Sequence, residues 1–200
     1  MKTFLYLATT LLLGSFTINA QQSYTQKLKA FRSDYITRHE VVKGKDKNLF
    51  RFFPIDSSYR VFASFEKITD TIGFTMKTSA GTMQEYFKYG RVSFHLKDTL
   101  LQLFIYQSKR LRYTSYKDYL FIPFTDATTG DVTYAAGRYI DLLKTDITND
   151  QVVVDFNKAY NPYCAYAAGY HCPLPPRENY VELRVEAGEK TFAGGKLSVK

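Results

Sequence analysis

The sequence predicts a mainly β protein with one N-terminal helix, built as a single antiparallel β-sandwich or partly closed β-barrel domain. Three observations carry this. From about residue 59 onward, apolar side chains recur at every second position in short runs separated by turn residues. The composition holds 17 Tyr and 16 Phe but no Trp, and such rings suit pleated, half-buried surfaces. One stretch ahead of these runs has the period of a helix instead.

The chain opens with Lys2, an apolar run from Phe4 to Phe16, and Ile18-Asn19-Ala20 before Gln21. This is the pattern of a secretory signal peptide cleaved after Ala20. The apolar run is shorter than the roughly 18–20 residues needed to cross a bilayer. Cleavage leaves residues 21–200 as one β-rich domain, with no transmembrane segment, exported to the periplasm or the extracellular space. Loss of Lys2 lowers the formal charge from +8 to +7. The remaining basic residues are scattered over loops rather than arranged in a stripe with aromatics, which argues against nucleic acid as a partner.

Ser23 begins the helical stretch, which runs to about Arg38. Tyr24, Leu28, Phe31 and Tyr35 fall on one apolar stripe, with Lys27, Lys29, Arg32 and Arg38 largely off it. His39 sits at the helix end, where the helix dipole accounts for it. After a basic turn at Lys43–Asn48 the period becomes two. Tyr59–Phe65, Gly90–Leu96, Leu101–Tyr106 and Tyr119–Phe124 read as strands, followed by Val132–Tyr139, Gln151–Phe156, Tyr180–Glu186 and Thr191–Val199. Gly194-Gly195 reads as a hairpin turn.

Polar islands interrupt these strands: Pro123–Asp131 continuing to Asp141, Asp155–Pro176, and Arg177–Lys190. The second holds both cysteines and four of the six prolines. Prolines remove backbone donors, so an ordered loop there needs a staple or a site to hold it. Several segments then recur in a familiar order. They are Phe121-Ile122-Pro123-Phe124-Thr125-Asp126-Ala127-Thr128-Thr129-Gly130, Thr133-Tyr134 with Gly137-Arg138-Tyr139, and Asp155-Phe156-Asn157-Lys158-Ala159-Tyr160-Asn161-Pro162. Cys172-Pro173-Leu174-Pro175-Pro176 with Asn179, and Ala187-Gly188-Glu189-Lys190, complete the series. Together they resemble the bacterial and archaeal family catalogued as domain of unknown function 1684, over a core of about residues 49–190. The resemblance implies an intact domain and carries no activity with it.

Export to an oxidising compartment favours a Cys164–Cys172 disulfide closing a short loop. The competing reading is a thiol or metal pair with His171, for which no second Cys/His pair completes a tetrahedral zinc site; no metal and no cofactor is expected. Arg138 offers a forked guanidinium to a carboxylate or phosphate, or else ion-pairs with Asp126, Asp141 or Asp155 to hold two loops together. Asp155 and Asn157 share a face by period two, and Asp126 sits in a turn-forming Thr-Asp-Ala-Thr-Thr-Gly run. No Gly-x-Ser-x-Gly, His-Glu-x-x-His or phosphate-cradling glycine motif occurs.

Two functions follow from these residues. The first is a cell-envelope binding or structural module in which Tyr134, Arg138, Tyr139, Asp155, Asn157 and Tyr160 line a pocket for a small polar or anionic ligand. The second is a hydrolase with Asp155 or Asp126 as general base, Arg138 stabilising an anion and Tyr160 donating a proton.

Overall fold

The structure, a computed structural model, describes residues 23–197; the signal peptide expected over 1–20 lies outside them. Among these, two units are distinguished, residues 23–38 and 39–197. In the first, residues 23–38 form helix α1, as the spacing of Tyr24, Leu28, Phe31 and Tyr35 requires. Arg38 closes its last turn on Asp34 at 2.6 Å.

The second unit is a curled half-barrel of antiparallel strands, the partly closed alternative of the two expected. Its strands are β1 (Arg60–Lys67), β2 (Phe74–Lys77), β3 (Met83–Leu96), β4 (Thr99–Ser108), β5 (Tyr119–Asp126), β6 (Arg138–Leu143), β7 (Gln151–Asp155) and β8 (Tyr180–Val181). The sheet runs β6-β5-β4-β3-β1-β7, with β2 added to β3 and β8 lying parallel to β5. Turns of the kind that matches strand twist join β3 to β4 and lead into β7: Lys97-Asp98 and Asn149-Asp150 all take positive φ.

Alternation along the strands sorts side chains to two faces. Val92, Phe94, Leu103, Ile105, Leu120, Ile122, Phe124, Ile140 and Leu142 build the main core with Val61, Val152 and Val154. The next residues along β4, β5 and β6 point the other way. There Tyr106, Phe121 and Tyr139 join Met76 and Tyr86 in a second, aromatic cluster. Where β3 crosses from one cluster to the other, its register with β4 shifts between Lys88 and Gly90. Gly90 is required at that bulge, because a Cβ would stand 2.2 Å from the Phe65 ring.

Three expected strands differ. The 132–137 segment is a turn, and the strand begins only at Arg138. The Tyr180–Glu186 run keeps two strand residues, because Asp126 and Arg138 claim the backbone groups of Val185 that a ladder would use. Residues 191–197 contain only an isolated bridge, Leu197 with Ala167, so Gly194 sits in a turn without flanking strands.

Candidate functional site

Arg138 starts β6 with its side chain in the core, 1% exposed. Its guanidinium donates to Asp126 Oδ2 at 3.2 Å, to the Val185 carbonyl at 3.0 Å, to the Glu189 carbonyl and to the Ala187 carbonyl. Asp126 Oδ1 in turn accepts from the Thr128 and Thr129 hydroxyls and the Thr128 amide, while Oδ2 takes the Val185 amide at 2.7 Å. The pair therefore stitches residues 185–189 to the ends of β5 and β6. Of the alternatives left by the sequence, the ion pair with Asp126 is the one that forms, and both groups are occupied by protein.

Asp155 and Asn157 brace a different junction. Asp155 Oδ1 accepts from the amide and the side chain of Asn157, whose own side chain exchanges two hydrogen bonds with the backbone of Asp56. The six residues expected to line one pocket thus divide. Arg138, Asp155 and Asn157 are buried in structural networks, Tyr134 points to Cys164, and only Tyr139 and Tyr160 come together, with ring centroids 5.9 Å apart.

The expected Cys164–Cys172 disulfide is absent. Both residues are free thiols, and their sulfurs are not at bonding distance. They are nonetheless neighbours. The Cys164 amide donates to Cys172 Sγ at 3.3 Å, and the Tyr134 hydroxyl reaches Cys164 Sγ at 3.5 Å. Each sulfur is satisfied as a hydrogen-bond acceptor, so the loop is held without a covalent bond. The hydrogen bond from Cys172 pulls the Cys164 thiol down to about 6, and the same sharing pushes Cys172 up. His171 turns away to Thr82, Nδ1 to Oγ1 at 2.8 Å. No group of three or more His, Cys, Asp or Glu able to hold a metal ion occurs among the described residues.

Tyr139 and Tyr160 lead to a residue that the sequence reasoning considered only as a partner for Arg138. Asp141 lies two positions after Tyr139 on β6 and so shares its face, opposite Phe121 of β5. Asp141 Oδ1 accepts from the Tyr160 hydroxyl at 2.6 Å and from the Tyr119 hydroxyl at 2.8 Å. The residue is exposed, yet burial raises its carboxyl above the usual 3.8 against the two phenol donors, which lower it. The carboxylate is thus reached by water at a point of the sheet face that neighbouring side chains crowd. Half-buried Tyr119 leads from it into the buried aromatic cluster, stacked on Phe121 at 6.3 Å, with Phe121 edge-on to Tyr139 at 5.5 Å. Among the described residues no Lys or Arg pairs with Asp141. Period two along Tyr139-Ile140-Asp141, read against Tyr119-Leu120-Phe121, was the signal that could have found it.

The same face carries a second polar group. Tyr106 donates to Glu178 Oε1 at 2.6 Å and Lys88 to Oε2 at 2.9 Å, which ties the 177–179 turn to the aromatic cluster. Tyr139 donates to the Pro173 carbonyl and so holds the proline-rich segment against the same face.

Fold and site thus define a half-barrel β protein with a tyrosine-bonded carboxylate on the sheet face that carries its second, aromatic cluster. The chain belongs to the family described as protein of unknown function (DUF1684), whose profile matches residues 48–190. A similar solved structure is the solution NMR structure of the uncharacterized protein from gene locus rrnAC0354 of Haloarcula marismortui. It is 29% identical, with a TM-score of 0.66, and the match covers 86% of this chain and 97% of the archaeal one. No curated protein matches significantly.

Proposed function

We propose that this protein is an exported binding module of the cell envelope and that its ligand site is the surface around Asp141. The observation that carries the reading is the open carboxylate itself. The hydrogen bonds from Tyr119 and Tyr160 both reach Oδ1, and the residue is exposed in a setting that raises its pKa. Tyrosine rings around it offer flat apolar surface with hydroxyl edges. Such a site suits a small polar ligand that brings an ammonium group or several hydroxyls, since aromatic faces attract cations and sugars' apolar faces alike. The anionic ligand considered from the sequence loses support, because Arg138 is spent on Asp126 and three carbonyls. The hydrolase reading weakens for the same reason, with Asp126 and Asp155 committed to neighbouring backbone and side-chain groups. The leader pattern over 1–20 supports export. In an oxidising compartment the adjacent thiols would be expected to close.

The test is a titration, followed by amide and tyrosine NMR, with a panel of small ammonium compounds and monosaccharides. Binding is expected to perturb Tyr119, Tyr139 and Tyr160, and Asp141→Asn is expected to weaken it about tenfold, or ~1.4 kcal/mol. Unchanged affinity in Asp141→Asn, or perturbations confined to other surfaces, would sink the assignment.

A further inference from the structure

The two cysteines are positioned for more than bracing. Cys172 is half-buried and follows exposed His171, whereas Cys164 is 5% exposed and reached from the inside by the Tyr134 hydroxyl. Each sulfur faces a donor suited to an anion, the Cys164 amide for Cys172 and the Tyr134 hydroxyl for Cys164. The Cys172 backbone is itself anchored, its amide donating to Ser79 Oγ and its carbonyl accepting from the Ser79 amide at 2.8 Å. The entry sulfur is therefore held in place while the segment 165–171 spans the gap between the two residues.

We propose that Cys164 and Cys172 form a thiol–disulfide exchange site for low-molecular-weight disulfides, with Cys172 as the entry sulfur and Cys164 as the resolving one. The two sulfurs share one proton, and because Cys164 is the more acidic of the reduced pair, attack by Cys172 first requires that proton to pass from Cys172 to Cys164. When the proton lies on Cys164, the Cys172 thiolate attacks one sulfur of the external disulfide. A Cys172–S–S–R bond forms, the external S–S bond breaks, and RS⁻ leaves and takes a proton from solvent. Cys164 then loses its proton to water, with the Tyr134 hydroxyl stabilising the thiolate. Cys164 attacks Cys172 Sγ, forms the internal disulfide and expels the second RS⁻. Two protein thiols are oxidised and one external disulfide is reduced to two thiols. This chemistry does not depend on what the Asp141 surface binds.

The test uses the reduced full domain with oxidised glutathione, quenched with an alkylating reagent and read by intact mass. Wild type is expected to lose both thiols without retaining glutathione. Cys164→Ser is expected to stop as a single glutathione adduct on Cys172, and Cys172→Ser to react about tenfold more slowly, because its remaining thiol is buried. In wild type the resolving step should speed up as pH rises, since the thiolate of Cys164 is the attacking species, and Tyr134→Phe should slow it. Circular dichroism shows whether each variant is folded, and Cys164→Ala replaces Cys164→Ser if the hydroxyl is not tolerated. A glutathione adduct that persists in wild type, thiols that survive the treatment, or a resolving rate unchanged in folded Tyr134→Phe would each overturn the proposal.

Discussion

His39 lies just past the end of α1 but is buried, with Nδ1 accepting from the Val42 amide at 2.9 Å. Burial and the nearby Lys47 and Lys43 lower its pKa from 6.5 to about 4, so the helix-dipole explanation expected from its position gives way to a neutral, core imidazole. The unfolded chain takes up a proton at pH 6.5 and the folded chain only near 4. Stability is therefore full above about 6.5 and falls as pH drops toward 4, by roughly 1.4 kcal/mol per pH unit for a single group. Urea titrations across that range should show the slope, and His39→Gln should flatten it. Asp141 works in the opposite sense. Its folded pKa is raised above 3.8, so the fold binds its proton more tightly than the unfolded chain does, and that contribution is lost as pH rises. Asp141→Asn should consequently be more stable than wild type at neutral pH and equal to it in acid. That pattern marks a charge kept for binding rather than for the fold. Arg138 behaves as a structural group: removing it strands Asp126 in the core, and Arg138→Met should cost about 3–5 kcal/mol by chemical denaturation.

At the scale of elements, the seam between β4 and β5 is the least conventional part of the sheet. The two strands share a single paired position, Tyr106 with Phe121. Asn179 fills the gap beside it. Its Oδ1 accepts from the Phe104 amide at 2.8 Å, and its Nδ2 donates to the carbonyls of Phe104 and Pro123 at 2.9 and 2.7 Å. One side chain thus supplies the ladder bonds that β5 does not, next to a proline that has no N–H to give. Asn179→Leu leaves three buried backbone groups unpaired and should destabilise by about 3 kcal/mol or more, with hydrogen exchange speeding first at Phe104. The strands on either side were legible because Leu101–Tyr106 and Tyr119–Phe124 alternate cleanly. The Asn179 plug was not, since an asparagine after Pro-Pro-Arg-Glu reads locally as a turn residue and its partners lie 56 and 75 positions away. Gly188 is similar. Its φ of +76° suits any turn glycine, but only the folded chain brings the Phe156 and Ala159 carbonyls to 2.7 and 2.6 Å from where a Cβ would be.

Across the whole molecule, the full sequence carries a formal charge of +8, yet Asp141 is bonded to two tyrosines and not to a cation. Its field is therefore available to a positively charged or hydroxyl-rich ligand. The proposed export is likewise tested on the whole chain. Expression of the full precursor in a secreting bacterium should yield a mature protein beginning at Gln21, read by N-terminal sequencing; retention of residues 1–20 would contradict it. The sequence by itself determined the helix at 23–38, most of the period-two strands, the mainly β antiparallel class and the family, because periodicity and local motifs are properties of neighbours in the chain. That the sheet curls into a half-barrel and not a sandwich was decided by the tertiary structure. Only the tertiary structure decided which polar residues are free. Arg138, Asp126, Asp155 and Asn157 looked like a site because they are polar and close to strand ends. They are consumed by carbonyls, amides and side chains from other segments, as buried polar groups must be. Asp141 looked like one more partner for Arg138. It is instead bonded at Oδ1 by the phenols of Tyr119 and Tyr160, 22 and 19 positions away, and stays exposed. Whether a side chain is satisfied depends on contacts between distant segments, and no local pattern encodes them.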